Sequence, residues 1–208
     1  MVRVNGPAMS LEASGSLAGA IVFSKWKGRP YVRELVKPAN PKSGGQVGIR
    51  SMLRFLSQDW KNLSSADHTT WQAKAAAKVI SQFNAFMGTN VYRYRDFLAP
   101  SQQDPATGAG TLSTLGTLAA VAGVRSITVT QPITTAADGW GVMFFRSLTS
   151  TFDGTYDKMK RIGKISGTAA VVFVDSPLSP GTYYYEVRSF TKQGQLGPAS
   201  TEVNATVV

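Results

Sequence analysis

Apolar and polar positions alternate in short runs near the start of the chain. Ile21, Val22 and Phe23 lead to Trp26, and Tyr31, Val32 and Val36 follow a Lys27-Gly28 step. Glycine takes a positive φ at low cost, so this step predicts a turn between two extended segments, a β-hairpin. Pro30 fits the start of the second strand, where its missing N–H is tolerated. Residues 38–45, PANPKSGG, predict a connector. Ile49, Met52, Leu53, Leu56 and Trp60 then recur at helical spacing and predict a helix over 46–61. Ser64 with Asp67 three residues on is a short-armed relative of the capping box, and Asp67 complements the helix dipole. It opens a second helix with the stripe Trp71, Ala75, Val79 and Phe83, extended by Phe86 and Met87, for which Gly88 is a suitable stop. Trp60 and Trp71 are expected to pack on each other and on the hairpin. The tail NVYRYRDF reads as a stacking platform, a strand or an interface segment.

From Pro100 to Gly123 the chain is rich in small residues and carries one charge, Asp104. Its first half reads as a flexible linker, while Leu112, Leu115 and Leu118 in the second half need a surface to dock on. Beyond it, strand-like runs recur at short intervals: 124–131, 140–146, 159–165, 170–174, 182–190 and 200–207. Trp140, Val142 and Phe144 are expected on one face. In YYYEVRSF, Tyr183, Tyr185 and Val187 point one way and Tyr184, Glu186 and Arg188 the other. That alternation predicts one core face and one surface face.

The stretch 175–200, DSPLSPGTYYYEVRSFTKQGQLGPAS, resembles the last two strands of a fibronectin type III domain. The matching features are Pro180-Gly181, the tyrosine-bearing strand with Tyr183, Tyr185 and Val187, Gly194, and Ser200. The resemblance implies that Tyr183 makes a tyrosine corner, that Trp140 is the core tryptophan, and that Trp140, Tyr183, Tyr185 and Val187 form a sandwich core. The expected fold class is an α+β N-terminal module (β-hairpin plus two or three helices) followed by an all-β immunoglobulin-like sandwich. The expected divisions are a basic hairpin and helical module over 1–98, a linker over 99–122, and the sandwich over 123–208.

Charge separates the two halves. Residues 1–98 hold fourteen Lys and Arg against five Asp and Glu, and residues 99–208 hold eight against seven. The basic half therefore points to an anionic partner, an acidic protein surface or a nucleic acid, with general solubility as the plainer reading. Lys25, Lys27, Arg29 and Arg33 surround Trp26 and Tyr31 on the hairpin, and Tyr92, Arg93, Tyr94 and Arg95 follow the helices. These ten residues are the expected partner-binding set. As an arm, the hairpin can complete a neighbour's sheet; as a two-stranded ribbon, it can enter a DNA groove; or it packs within its own chain.

There is no cysteine, and His68 is the single histidine, expected as a surface or cap residue. Thiolate and multi-histidine chemistry are thereby excluded. Glu12, Glu34, Asp59, Asp67 and Asp96 are too scattered for a carboxylate pair, and no nucleophile-elbow, zincin or phosphate-loop motif is present. The expectation is a non-enzyme with no catalytic residues, no cofactor and no metal. No run of eighteen apolar residues occurs, so no helical membrane span is expected. No secretory leader is expected either, because Glu12 interrupts the only candidate region.

The strings GAIVFSKWKGRPYVRELVKPANPKS (19–43), QVGIRSMLRFLSQDWKNLS, TTWQAKA and FNAFMGTN resemble those of small proteins encoded in bacterial and phage genomes. The resemblance implies a virion component assembled in the host cytoplasm: a capsid decoration, a head–tail connector or a tail-associated protein. Its expected partners are other virion proteins with acidic surfaces, met by multiple copies in a symmetric assembly. A nucleic-acid-binding accessory protein is the alternative.

Overall fold

The computed structural model describes residues 2–3, 15–17, 19–37, 40 and 42–208. Glu12, Pro38, Ala39 and Pro41, on which the leader and connector expectations drew, lie outside them. The chain forms two compact units, Met1–Pro41 and Lys42–Val208.

The first unit is a four-stranded antiparallel sheet. Strands β1 (Val2–Arg3), β2 (Gly15–Leu17), β3 (Ile21–Trp26) and β4 (Arg29–Glu34) lie in the order β1-β4-β3-β2. The expected hairpin is its centre. Lys27 (φ 48°) and Gly28 (φ 78°) both take positive φ, the signature of a two-residue turn whose twist matches the strands it joins.

The second unit opens with helix α1 (Gly44–Asp59), which a 3₁₀ turn over Trp60–Asn62 closes. Ser64 caps helix α2 (Ser65–Lys78), accepting a hydrogen bond from the Asp67 amide at 3.1 Å. The apolar stripe predicts one helix running unbroken to Gly88. Instead Val79 adopts the left-handed conformation and ends α2, and Ser81 caps a new helix, α3 (Gln82–Arg95), with Gly88 inside it. A second serine cap, accepting from the Asn84 amide at 3.1 Å, is the physical cause of the restart.

Ten strands follow: β5 (Thr114–Leu115), β6 (Ala119–Gly123), β7 (Ser126–Gln131), β8 (Ile133–Thr135), β9 (Gly139–Ser147), β10 (Met159–Lys164), β11 (Val171–Asp175), β12 (Gly181–Thr191), β13 (Leu196–Ala199) and β14 (Val203–Val207). The chain is thus an α+β N-terminal part followed by a β-rich C-terminal region. The expected all-β immunoglobulin-like sandwich does not form. The strands fall into separate sheets: five-stranded (β10-β9-β12-β13, with β14 also on β12), three-stranded (β11-β7-β6) and two-stranded (β5-β8).

The central five-stranded sheet is buried on both faces. Met143, Phe145, Met159, Ile162 and Phe190 on one face share a core with Met52, Phe55, Leu56, Trp71 and Phe86 of the helices. Val142, Phe144, Tyr185 and Val187 on the other share a second core with Ile127, Val129 and Val171. Three layers result, helices over one sheet over another, so the β-rich region is not a self-contained domain. This corrects the reading of β12 as half surface: Glu186 is 6% exposed, and Tyr184 and Arg188 are half-buried, because Tyr184 packs on the core shared with the helices, Arg188 lies over the Phe97 ring and the chain at Gly154 approaches the Glu186 carboxylate.

Residues 99–111 are bound along their length. Asn90 donates to the Ser101 carbonyl (2.9 Å) and accepts from its amide (2.7 Å). Trp71 Nε1 donates to the Gln102 carbonyl at 2.7 Å, and Lys74 pairs with Asp104 at 2.6 Å. The Gln102 amide reaches the Lys192 carbonyl at 2.8 Å. The segment is a strap between the helices and the β12–β13 turn.

Candidate functional site

The β3–β4 ribbon gathers most of the expected partner-binding residues. Cross-strand pairs are Ile21 with Glu34, Val22 with Arg33, Phe23 with Val32, Ser24 with Tyr31, Lys25 with Pro30, and Trp26 with Arg29. Paired residues in an antiparallel sheet share a face. One face therefore carries Val22, Arg33, Ser24, Tyr31, Trp26 and Arg29. The other carries Ile21, Glu34, Phe23, Val32, Lys25 and Pro30.

The first face is basic and aromatic. Trp26 is 62% exposed, Arg29 and Arg33 are exposed, and Tyr31 is half-buried between them. Lys27, at the turn, holds its Nζ 4.9 Å from the Trp26 ring centroid, a cation–π contact. β1 pairs with Tyr31 and Val32, and β2 with Ile21 to Phe23. None of residues 19–37 is buried, so the two central strands present ridges and faces and enclose no core.

Of the other expected residues, Lys25 lies on the opposite ribbon face. Tyr92, Arg93, Tyr94 and Arg95 do not form a stacking platform, because α3 spaces them around a helix. Tyr94 is 2% exposed and donates to the Tyr156 carbonyl at 2.8 Å, and burial pushes its phenol pKa up. Arg93 donates to the Ala99 carbonyl at 2.8 Å and to the Gly194 carbonyl at 3.1 Å, so it fastens the strap rather than a ligand. Tyr92 and Arg95 are exposed. His68 is half-buried, its ring edge-on to Trp60 with centroids 4.2 Å apart.

The four expected sandwich-core residues divide between the two cores. Tyr183, Tyr185 and Val187 sit together in the core between the sheets, and Tyr183 Oη donates back to the Ser179 carbonyl at 3.0 Å. Trp140 leaves them. Opposite Phe190 and Thr191 the register slips between Gly141 and Gly139, and the bulge turns Trp140 away from the side of Val142 and Phe144. Its ring packs on Phe55 and Phe190, with centroids 5.0 and 5.8 Å away.

Sequence reasoning missed Asp59. This carboxylate is 3% exposed and accepts hydrogen bonds from Trp140 Nε1, Lys164 Nζ and Asn62 Nδ2, the last at 3.0 Å. Burial raises its pKa, but the three donors outweigh burial and hold it below the usual carboxylate range. The only sequence signal was an acidic residue beside the apolar stripe of α1.

Clefts open on the second unit, among them one of about 540 Å³ beside Asp59, Trp140, Lys164 and Lys192. Another of about 750 Å³ lies between residues 112–118 and 198–203 and is lined by Leu112, Leu115, Pro198, Val203 and hydroxyl residues, with no charged side chain. A third of about 240 Å³ lies beside Asp59, between α1 and β10, with Arg54 and Arg161 on its wall. Among the described residues no group of three or more His, Cys, Asp or Glu is placed to hold a metal, and no helix is long and apolar enough to cross a membrane.

No family model and no curated protein matches the chain. Among solved structures it is similar to a β-1,2-glucanase from Parabacteroides distasonis, with 18% identity and a TM-score of 0.37 over 47% of this chain and 13% of that one. It is also similar to the PKD domain of an M14-like peptidase from a Thermoplasmatales archaeon, with 14% identity and a TM-score of 0.33 over 48% of this chain and 98% of that one. At these TM-scores neither likeness bears on fold or activity.

Proposed function

We propose that this chain is a non-enzymatic structural component of a phage particle that docks through the basic face of its ribbon onto an acidic neighbouring protein. One observation carries the docking: Trp26, Arg29, Tyr31 and Arg33 share one face of a ribbon in which none of residues 19–37 is buried. A ribbon that buries no side chain of its own is marginal in water and gains stability from whatever covers it. Aromatic and arginine side chains are the types that contribute most at protein interfaces. The setting in a particle draws on the resemblance of residues 19–43 and of the helical strings to phage-encoded proteins. In a symmetric assembly, many weak copies of such a contact suffice.

The test is co-migration with particles on a density gradient, followed by mass spectrometry, for the native chain and for Trp26→Ala with Tyr31→Ala. The expected result is fixed stoichiometry for the native chain and loss of the variant to the soluble fractions, with the second unit still folded. Recovery of the native chain only in soluble fractions would remove the particle reading. Salt-dependent retention on DNA, lost when Arg29 and Arg33 are replaced, would put a nucleic acid in place of the acidic protein.

A further inference from the structure

The opposite face of the ribbon has a different pattern. Along it run three cross-strand rows: Ile21 with Glu34 at one end, Phe23 with Val32 in the middle, and Lys25 with Pro30 at the other end. Phe23, Val32 and Pro30 are half-buried and Ile21 is 39% exposed, so the apolar middle is incompletely covered by its own chain. A negative charge marks one end and a positive charge the other.

We propose that this face is a self-complementary interface that pairs two copies of the chain. A two-fold axis lying across the strands, through the Phe23–Val32 row, turns one sheet onto the other with strand direction reversed. Phe23 then packs on Phe23 and Val32 on Val32 of the second copy. The same operation carries the Lys25 end of each copy over the Glu34 end of the other, one strand spacing of about 4.8 Å to the side and within reach of both side chains. Two equivalent Lys25–Glu34 pairs form, as an isologous contact requires. The alternative axis, along and between the strands, would gather both Lys25 side chains at one end and both Glu34 side chains at the other, each one strand spacing from its like, and like charges disfavour it. Charge therefore selects both the occupant and its direction.

The contact uses neither Trp26 nor Arg33, so the basic face stays open on both outer sides of the pair. It does not depend on what that basic face binds. A pair of chains would present two basic faces pointing apart, a bivalent unit.

Sedimentation velocity of the full chain across a concentration series tests the interface. The expected result is a reversible monomer–dimer equilibrium. Lys25→Glu alone and Glu34→Lys alone should each weaken it by about tenfold or more, because each replaces two attractive pairs with two repulsive ones. Mixing the two single variants should restore dimers, since a face with acid at both ends on one chain then meets a face with base at both ends on the other. Lys25 also interacts within its own chain, so the mixture is the deciding sample: each variant's internal contacts are the same mixed or alone. A native chain that stays monomeric throughout, dimers unchanged in both single variants, or a mixture no stronger than its parts would each overturn the proposal.

Discussion

Asp59 offers a quantitative check on how the helices are joined to the central sheet. Replacing it with alanine removes the acceptor for Trp140 Nε1–H, and Trp140 is 2% exposed. A buried donor left unsatisfied costs about 1–3 kcal/mol. The other two donors recover their losses: Lys164 is 48% exposed at its side chain, and Asn62 is exposed. The expected destabilisation of Asp59→Ala is therefore about 1–3 kcal/mol, which for a unit of this size lowers Tm by about 2–12 °C. Asp59→Asn keeps an acceptor for Trp140 and loses only the charge, so it should cost about 1 kcal/mol. The pH dependence has a definite sign. Asp59 has a folded-state pKa below its unfolded value, so its contribution is present above about pH 4 and is lost as pH falls through the folded value. The gap between the native chain and Asp59→Asn should be full at pH 7 and should close at acid pH. Thermal unfolding followed by tryptophan fluorescence at a series of pH values measures both quantities. An alanine variant no less stable than the asparagine variant, or a gap that widens in acid, would refute the account.

Two further substitutions probe the second unit. In Gly48→Ala, an added Cβ would collide with Tyr94 Oη and approach the Tyr156 carbonyl oxygen to 2.8 Å, so α1 must lift from its seat; a loss of about 1–3 kcal/mol is expected by urea unfolding. Asn90→Ala orphans both the amide and the carbonyl of Ser101 and should cost about 2–4 kcal/mol, with faster amide exchange across 99–104 as its local signature.

Local chemistry was legible in the sequence where it is self-contained. The Lys27-Gly28 turn, the Ser64 cap and most of the later strands follow from residues a few positions apart. What was hidden depended on partners distant in the chain. Ser81 caps α3 as Ser64 caps α2, but the apolar stripe runs straight across the gap between the two helices and disguises the break at Val79. Arg93 and Tyr94 look like recognition residues in a string, yet helical spacing turns both toward acceptors at Ala99, Gly194 and Tyr156. Glu186 sits at a strand position that alternation assigns to water, yet Arg188 and the chain at Gly154 close over its carboxylate. Composition misled over 99–111 for the same reason: Ser, Gln and Asp suit a linker and suit equally a strap that is tied down by its polar groups. Strict alternation places Trp140 with Val142 and Phe144, and one bulge is enough to break it. On the ribbon, the crowd of basic and aromatic residues was plain from the string, but its division into two chemically different faces needed the register.

The doubly covered central sheet has a consequence for how this chain can be cut and recombined. A graft that carried residues 123–208 alone to a new host protein would strip the lid from Met143, Phe145, Met159, Ile162 and Phe190 and leave a greasy plate in water. The helices travel with the strands or neither travels well. The natural seam is at Pro41–Lys42, where the first unit could be exchanged for another and the second kept whole. For such a chain, residues 1–41 can be replaced as a unit, whereas residues 123–208 cannot be moved without the helices.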